Sequence, residues 1–215
     1  MGPFKDRTEA GKKLAEKLIE HKEDHPLVLA LPRGGVPVGY EVAAALGSPL
    51  DTVVARKIGA PGNPEFGVGA IAPGDVIILD ESSLLAHGIE REDLDAVIDQ
   101  EKKEMERRMI EYRSGEYVRG KKADTVIIVD DGLATGVSAR AAIESVRRTY
   151  QPKKIIFAAP ICARDSAENL SPLVDKVVCV SSVENLMAIG YWYEEFEQTT
   201  DEEVVSYLGK ANKKL

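Results

Sequence analysis

Short apolar runs with little polar alternation recur along the chain: LVLAL at 27–31, DTVVARKI at 51–58, VGAIA at 68–72, DVIILD at 75–80, TVIIVD at 125–130, KIIFAAP at 154–160 and KVVCV at 176–180. Near-continuous Val and Ile is what strands buried on both faces require, so the pattern predicts a mostly parallel sheet covered by helices. Helical periodicity fills most of the gaps. Residues 8–23 place Ala10, Leu14 and Leu18, and Ala15 and Ile19, at i, i+4 spacing, with Asp6 and Glu9 positioned as a capping box. Segment 36–46 is apolar and alanine-rich and stops at Gly47, while 91–113 is long and highly charged, with Leu94, Val97, Ile98, Met105, Met109 and Tyr112 on one side. A further helix is expected over 137–150, closed by Pro152, and a last one over 202–208. The alternation specifies an α/β fold, a doubly wound, mostly parallel sheet flanked by helices.

The alternation breaks at 51–80, where two or three strands follow one another with only turn residues between them. Pro73-Gly74 is a turn signal, and GAPGNPEFG at 59–67 is a glycine- and proline-rich loop closed to helix, so this segment reads as a protruding β-hairpin beside the sheet. At 215 residues the chain suits a single domain. Its core is expected at about 27–180, with a small hood built from the chain ends, about 3–25 and 181–215.

Charge and cysteine usage remove several function classes. A formal net charge of −8 argues against a phosphate-neutralising nucleic-acid surface, while leaving room for a local basic pocket. No apolar run approaches the roughly 20 residues that span a bilayer, and the first residues lack the apolar core of a signal peptide, so the expectation is a cytoplasmic protein without a membrane partner. Cys162 and Cys179 each sit in an apolar run, where they are expected as separate buried thiols. His21, His25 and His87 lack ligand spacing, which disfavours a protein-held transition metal.

The chemistry concentrates in VIIVDDGLATGVS at 126–138. A buried strand delivers Asp130 and Asp131 to its C-terminal tip, a bare loop follows, and a helix starts near Val137. In open parallel sheets ligands sit beyond the carboxyl ends of the strands, where helix N-termini and loop N–H groups make an anion site suited to one phosphate. Gly132 and Gly136 let the backbone approach, and Thr135 and Ser138 offer hydroxyls. Two carboxylates would repel that phosphate unless they serve another group, either the vicinal hydroxyls of a ribose or a magnesium ion held by way of sugar and water. The Walker and dinucleotide-binding glycine patterns are both missing.

Four apolar residues, two acids and a phosphate loop resemble the signature of the type I phosphoribosyltransferases, and the resemblance to that fold extends over about 27–180. It implies 5-phosphoribosyl-1-pyrophosphate with Mg2+ as ligand, Asp130 and Asp131 on the ribose hydroxyls, and Ala134, Thr135, Gly136, Val137 and Ser138 around the 5′-phosphate. Two more loops fit. In LPRGG at 31–35, Arg33 can present a fork of donors while Gly34 and Gly35 let backbone N–H groups point inward; by similarity this is the pyrophosphate loop, where the family often keeps an unusual backbone conformation. In ARKIG at 55–59, Arg56 and Lys57 are read as ending a strand, one side chain reaching the crevice and the other pointing away, with the glycine-rich segment beyond as a lid. The family places a mobile catalytic hairpin there.

The resemblance implies a phosphoribosyltransferase, a pentosyl-group glycosyltransferase that ribosylates a small nitrogenous acceptor, releases pyrophosphate and works as a homodimer. Ala134 occupies the position at which the family's 6-oxopurine enzymes carry an acid, which makes guanine or hypoxanthine a poorer fit. Tyr191, Trp192, Tyr193 and Phe196 are candidates to stack a flat acceptor, though packing of the C-terminal element explains them equally well. The charged segment 91–113 reads as a solvated amphipathic helix or a dimer element. A second class stays open, a regulator that binds the ribosyl pyrophosphate without turnover. The cationic pair 56–57 and a lid favour the enzyme, because a sensor has no need to exclude water.

Overall fold

A computed structural model describes residues 3–112 and 123–213, so the last position of the expected 91–113 helix and the final two of the hood lie outside the described residues. In chain order the elements are α1 (Arg7–Leu18), β1 (Leu27–Ala30), α2 (Gly35–Leu46), β2 (Leu50–Thr52), β3 (Arg56–Ala60), β4 (Asn63–Ala72), β5 (Val76–Leu79), α3 (Glu81–His87), α4 (Asp95–Tyr112), β6 (Thr125–Val129), α5 (Val137–Tyr150), β7 (Lys154–Ala163), α6 (Arg164–Leu170), β8 (Lys176–Val183) and α7 (Asp201–Asn212).

Five strands form a parallel sheet in the order β2-β1-β6-β7-β8. Alternate residues of its central strands divide between two buried clusters. Val28, Ala30, Ile127, Val129, Ile156 and Ala158 pack with α1 and α2, whereas Leu27, Leu29, Val126, Ile128, Ile155 and Phe157 pack with α5. Because successive strand side chains point to opposite faces, unbroken apolar runs are what a sheet covered on both sides demands. The winding reverses between β1 and β6. From β1 the chain moves outward to β2, then returns across to β6, leaving the loops after β1 and β6 side by side at the carboxyl edge.

The break at 51–80 is a separate antiparallel sheet, β3-β4-β5, packed against α5 and α4. Two details differ from the sequence reading. The run 51–58 splits into β2 and β3, so Arg56 and Lys57 begin a strand rather than end one. The segment 59–67 is mostly strand, because the chain reverses at Pro61-Gly62, where Gly62 has φ 75°, and β3 pairs with β4 through register shifts at Ile58/Gly59 and Gly59/Ala60.

The ends of α1 and α2 follow their caps. Asp6 accepts from the Glu9 N–H at 2.7 Å, but the Glu9 side chain takes the Lys5 N–H instead of that of Asp6, so the expected box is half formed. Gly47 closes α2 in the left-handed region at φ 65°. The cysteine expectation is overturned: Cys162 on β7 and Cys179 on β8 lie on paired parallel strands with Cα atoms 6.1 Å apart and form a disulfide.

The chain ends meet as a small cluster. Phe4 forms a parallel bridge with Tyr193, its N–H donating to the Trp192 carbonyl at 2.7 Å, and Glu194 and Glu195 return bonds to Phe4 and Lys5. Phe4, Ala10, Ile161 and Tyr193 form its core. Among the described residues no helix is long and apolar enough to cross a membrane.

Candidate active site

The loops after β1 and β6 touch. Leu31 N–H bonds to the Val129 carbonyl at 2.8 Å, continuing the β1/β6 ladder past its formal end. A Cβ built on Gly34 would lie 1.9 Å from Asp131 Oδ2, and one on Gly35 would lie 2.8 Å from the Val129 carbonyl oxygen and 3.0 Å from the Asp130 Cα. Both positions therefore require glycine for close approach. The peptide between Pro32 and Arg33 is cis, so the loop that the resemblance marked for unusual backbone does carry it.

At the β6 tip, Asp130 Oδ1 accepts from the Asp131 N–H at 2.9 Å. Burial, reinforced by the neighbouring Asp131 charge, pushes the Asp130 carboxyl well above its ordinary range. Asp131 is also raised by burial, with Arg7 pulling the other way. Arg7 opens α1, and its Nε–H donates to Asp131 Oδ2 at 2.9 Å while a terminal N–H reaches the Glu197 carbonyl at 2.7 Å. Its guanidinium carbon lies 3.9 Å from the Phe196 ring centroid, a cation-π stack. The buried Tyr193 hydroxyl donates to the Asp131 backbone carbonyl at 2.7 Å, and burial beside both aspartates raises its pKa.

Residues 132–136 carry the chain into α5. Leu133 forms backbone bonds to Ile161 and Ala163, pinning the loop to β7 at its middle. A Cβ on Gly132 would meet the Ile189 side chain at 2.7 Å. Gly136 caps α5 at φ 77° without a side-chain cap bond, beside the exposed Thr135 and the half-buried Val137 and Ser138, so no capping side chain takes the first N–H groups of the helix. The Ala134 carbonyl accepts from the Ser166 hydroxyl.

A cavity of about 470 Å³ opens on Asp131. Its walls include Arg7, Arg33, Arg56, Arg108, Gly34, Phe196, Gln198 and Thr199. Arg33, Gly34, Arg56 and Asp131 are thus brought together from three separate stretches of sequence. Lys57 is exposed and does not line this cavity; a Cβ on Gly67 would meet its Cε at 2.1 Å. Arg56 and Lys57 therefore divide as strand alternation requires. Asp130 and residues 132–138 lie next to the cavity along the chain and do not line it. Of the aromatic candidates, Tyr191 is 76% exposed, Trp192 is half-buried, and Tyr193 is buried against Phe4 and Phe196 with ring centroids 5.5 and 4.9 Å away.

Sequence reasoning missed Arg7 and Arg108, and it read Phe196 only as a base-stacking candidate, whereas its ring stacks on Arg7 in the cavity wall. Arg7 sat in a helix start read for capping alone. Arg108 lay on a helix read as solvated, yet α4 packs on β3 and α7, its Glu101 receives Arg56 Nε–H at 2.7 Å, and Tyr112 donates to Asp201 on α7 at 2.5 Å. Among the described residues no cluster of three or more His, Cys, Asp or Glu side chains is arranged to hold a metal ion. The two carboxylates at the β6 tip therefore fit a divalent cation only as partial ligands, with the remaining oxygens coming from substrate and water.

Comparison with known proteins identifies relatives of the chain. A family model described as a phosphoribosyl transferase domain matches residues 4–195. Two Mycobacterium tuberculosis proteins, from strains H37Rv and CDC 1551, both provisionally named phosphoribosyl transferases, are 38% identical over 210 residues, which is 98% of this chain and 47% of theirs. The chain thus spans about half the length of the curated relatives it matches. The crystal structure of TT1426 from Thermus thermophilus superposes with a TM-score of 0.78 at 36% identity, covering 97% of this chain and 98% of that one. AQ2163 from Aquifex aeolicus, at 11% identity, a TM-score of 0.52 and coverage of 94% and 85%, shares the fold. With a family match over most of its length and a superposable relative above 30% identity, the chain belongs to the phosphoribosyl transferase family.

Proposed function

We propose that the protein transfers the phosphoribosyl group of 5-phosphoribosyl-1-pyrophosphate to a nitrogen base and releases pyrophosphate. The observation that carries the reading is the contact of the Gly34-Gly35 loop with the Asp130-Asp131 tip, beside a cavity walled by arginines. The bond from C1 of the ribose to the pyrophosphate oxygen breaks and a bond from C1 to the base nitrogen forms, so positive charge grows on the sugar and negative charge on the leaving group. Asp130 and Asp131 hold the ribose hydroxyls and favour the growing cation. The N–H groups at the start of α5, with Thr135 and Ser138, receive the 5′-phosphate. Arg33 and Arg56 bind the departing pyrophosphate. A Mg2+ ion held through the substrate, with Asp130 and Asp131 as its protein-side oxygens, would neutralise phosphate charge.

Pyrophosphate release against a panel of nitrogenous bases tests the reading. Wild type is expected to release it with at least one base, and Asp131→Ala to lose most of that rate. Stabilisation by the ribosyl pyrophosphate without release for any base would support the regulator instead.

A further inference from the structure

Each arginine in the cavity wall is bound to a carboxylate of the chain. Arg7 pairs with Asp131 at 2.9 Å, Arg33 with Asp201 at 3.7 Å, Arg56 with Glu101 at 2.6 Å and Arg108 with Glu104 at 2.7 Å. Three of these four acids come from two helices packed on each other, Glu101 and Glu104 on α4 and Asp201 on α7. The compensation is uneven. The Arg108 side chain is only 13% exposed, and Glu104, its partner, is shared with Arg107, whose Nε donates to the same carboxyl group at 2.7 Å. Asp201 likewise divides itself among Arg33, Arg107 and Tyr112. Four guanidinium groups therefore face a cavity in which Asp131 is the one carboxylate among the described lining residues.

We propose that these four arginines form one polyanion site for a diphosphate group, in which Arg108 and Arg7 are binding residues alongside Arg33 and Arg56. The acids of α4 and α7 hold three of the guanidinium groups, and Asp131 holds that of Arg7, until the ligand takes over their hydrogen bonds. The inference rests on the transferase reading, since a pyrophosphate leaving group is the diphosphate that reading supplies. It goes further by making α4 a wall of the active site and its carboxylates competitors of the ligand. Arginine suits this role because its planar fork meets phosphate oxygens two at a time. Exchanging one carboxylate partner for a phosphate also avoids stranding a partly buried charge.

Calorimetry with inorganic pyrophosphate, and separately with ribose 5-phosphate, on wild type, R108Q, R108K and E101Q tests this. R108Q is expected to weaken pyrophosphate binding about tenfold, the loss of one charge-assisted contact, and R108K to recover part of it. E101Q keeps a side-chain acceptor for Arg56 but removes a competing charge, so it is expected to bind pyrophosphate more tightly, a gain that misfolding cannot produce. Ribose 5-phosphate binding should stay at its wild-type value in all three variants. Pyrophosphate affinity unchanged in both R108Q and E101Q would overturn the four-arginine site while leaving the transferase reading intact. Failure of wild type to bind either probe would overturn both.

Discussion

Arg7, the first residue of the first helix, donates its Nε–H to Oδ2 of Asp131 at 2.9 Å across 124 positions of sequence. That bond ties the hood to the β6 tip. Both side chains are nearly enclosed, at 12% and 13% exposure, so the pair is neither a screened surface contact nor fully dry. Removing one partner strands the other. Arg7→Met is therefore expected to destabilise the protein by about 2–4 kcal/mol in denaturant melts. Arg7→Met with Asp131→Asn should cost less than the two single changes added together, and strict additivity would show that the pair is uncoupled.

Gly34 supplies a second test of the same contact. A methyl group there would intrude on Asp131 Oδ2, so Gly34→Ala is expected to cost about 1–3 kcal/mol and to weaken binding of the ribosyl pyrophosphate. In an Asp131→Gly background the stability cost should shrink sharply. An equal cost in both backgrounds would place the strain elsewhere.

Asp130 sets a pH dependence. Its ordinary value is 3.8, and burial beside Asp131 raises it in the folded state. The folded protein thus holds a proton that the unfolded chain releases readily. This carboxyl burdens stability little below about pH 4, and increasingly as pH climbs from there toward the raised value. Asp130→Asn is expected to melt higher than wild type at neutral pH, the gap closing at acid pH, while transfer activity falls. Parallel melting curves across that range would contradict the assignment.

On the proposed reading Tyr193 positions Asp131 through its backbone carbonyl. Tyr193→Phe keeps the ring between Phe4 and Phe196 but removes a buried hydrogen bond to the Asp131 carbonyl, a loss of about 1 kcal/mol. It should also weaken ribose 5-phosphate binding while leaving pyrophosphate affinity unaltered, a split that a purely structural role would not produce.

The sheet was legible because burial on both faces writes itself into unbroken Val and Ile runs, and the β6 motif because its aspartates, glycines and hydroxyls are contiguous. What escaped depends on distant pairing. Arg7 and Arg108 look like ordinary surface cations until α1 and α4 are folded against Asp131 and β3. The split of 51–58 turns on three residues, Val53, Val54 and Ala55, whose apolar character continues the pattern although the strand stops. The disulfide was hidden because its cysteines lie 17 positions apart in sequence and meet only once β7 and β8 pair. The short helices α3 and α6, at seven residues each, are too brief to show a period.

The central claim is that the β6 aspartates and the facing glycine loop bind a ribosyl pyrophosphate. Titration calorimetry of the full chain with 5-phosphoribosyl-1-pyrophosphate and Mg2+ measures it directly. The account predicts saturable one-to-one binding to wild type, weakened at least about tenfold by Asp131→Asn, a change close to 1.4 kcal/mol. Equal binding by the wild type and Asp131→Asn proteins, or none by wild type, would contradict it.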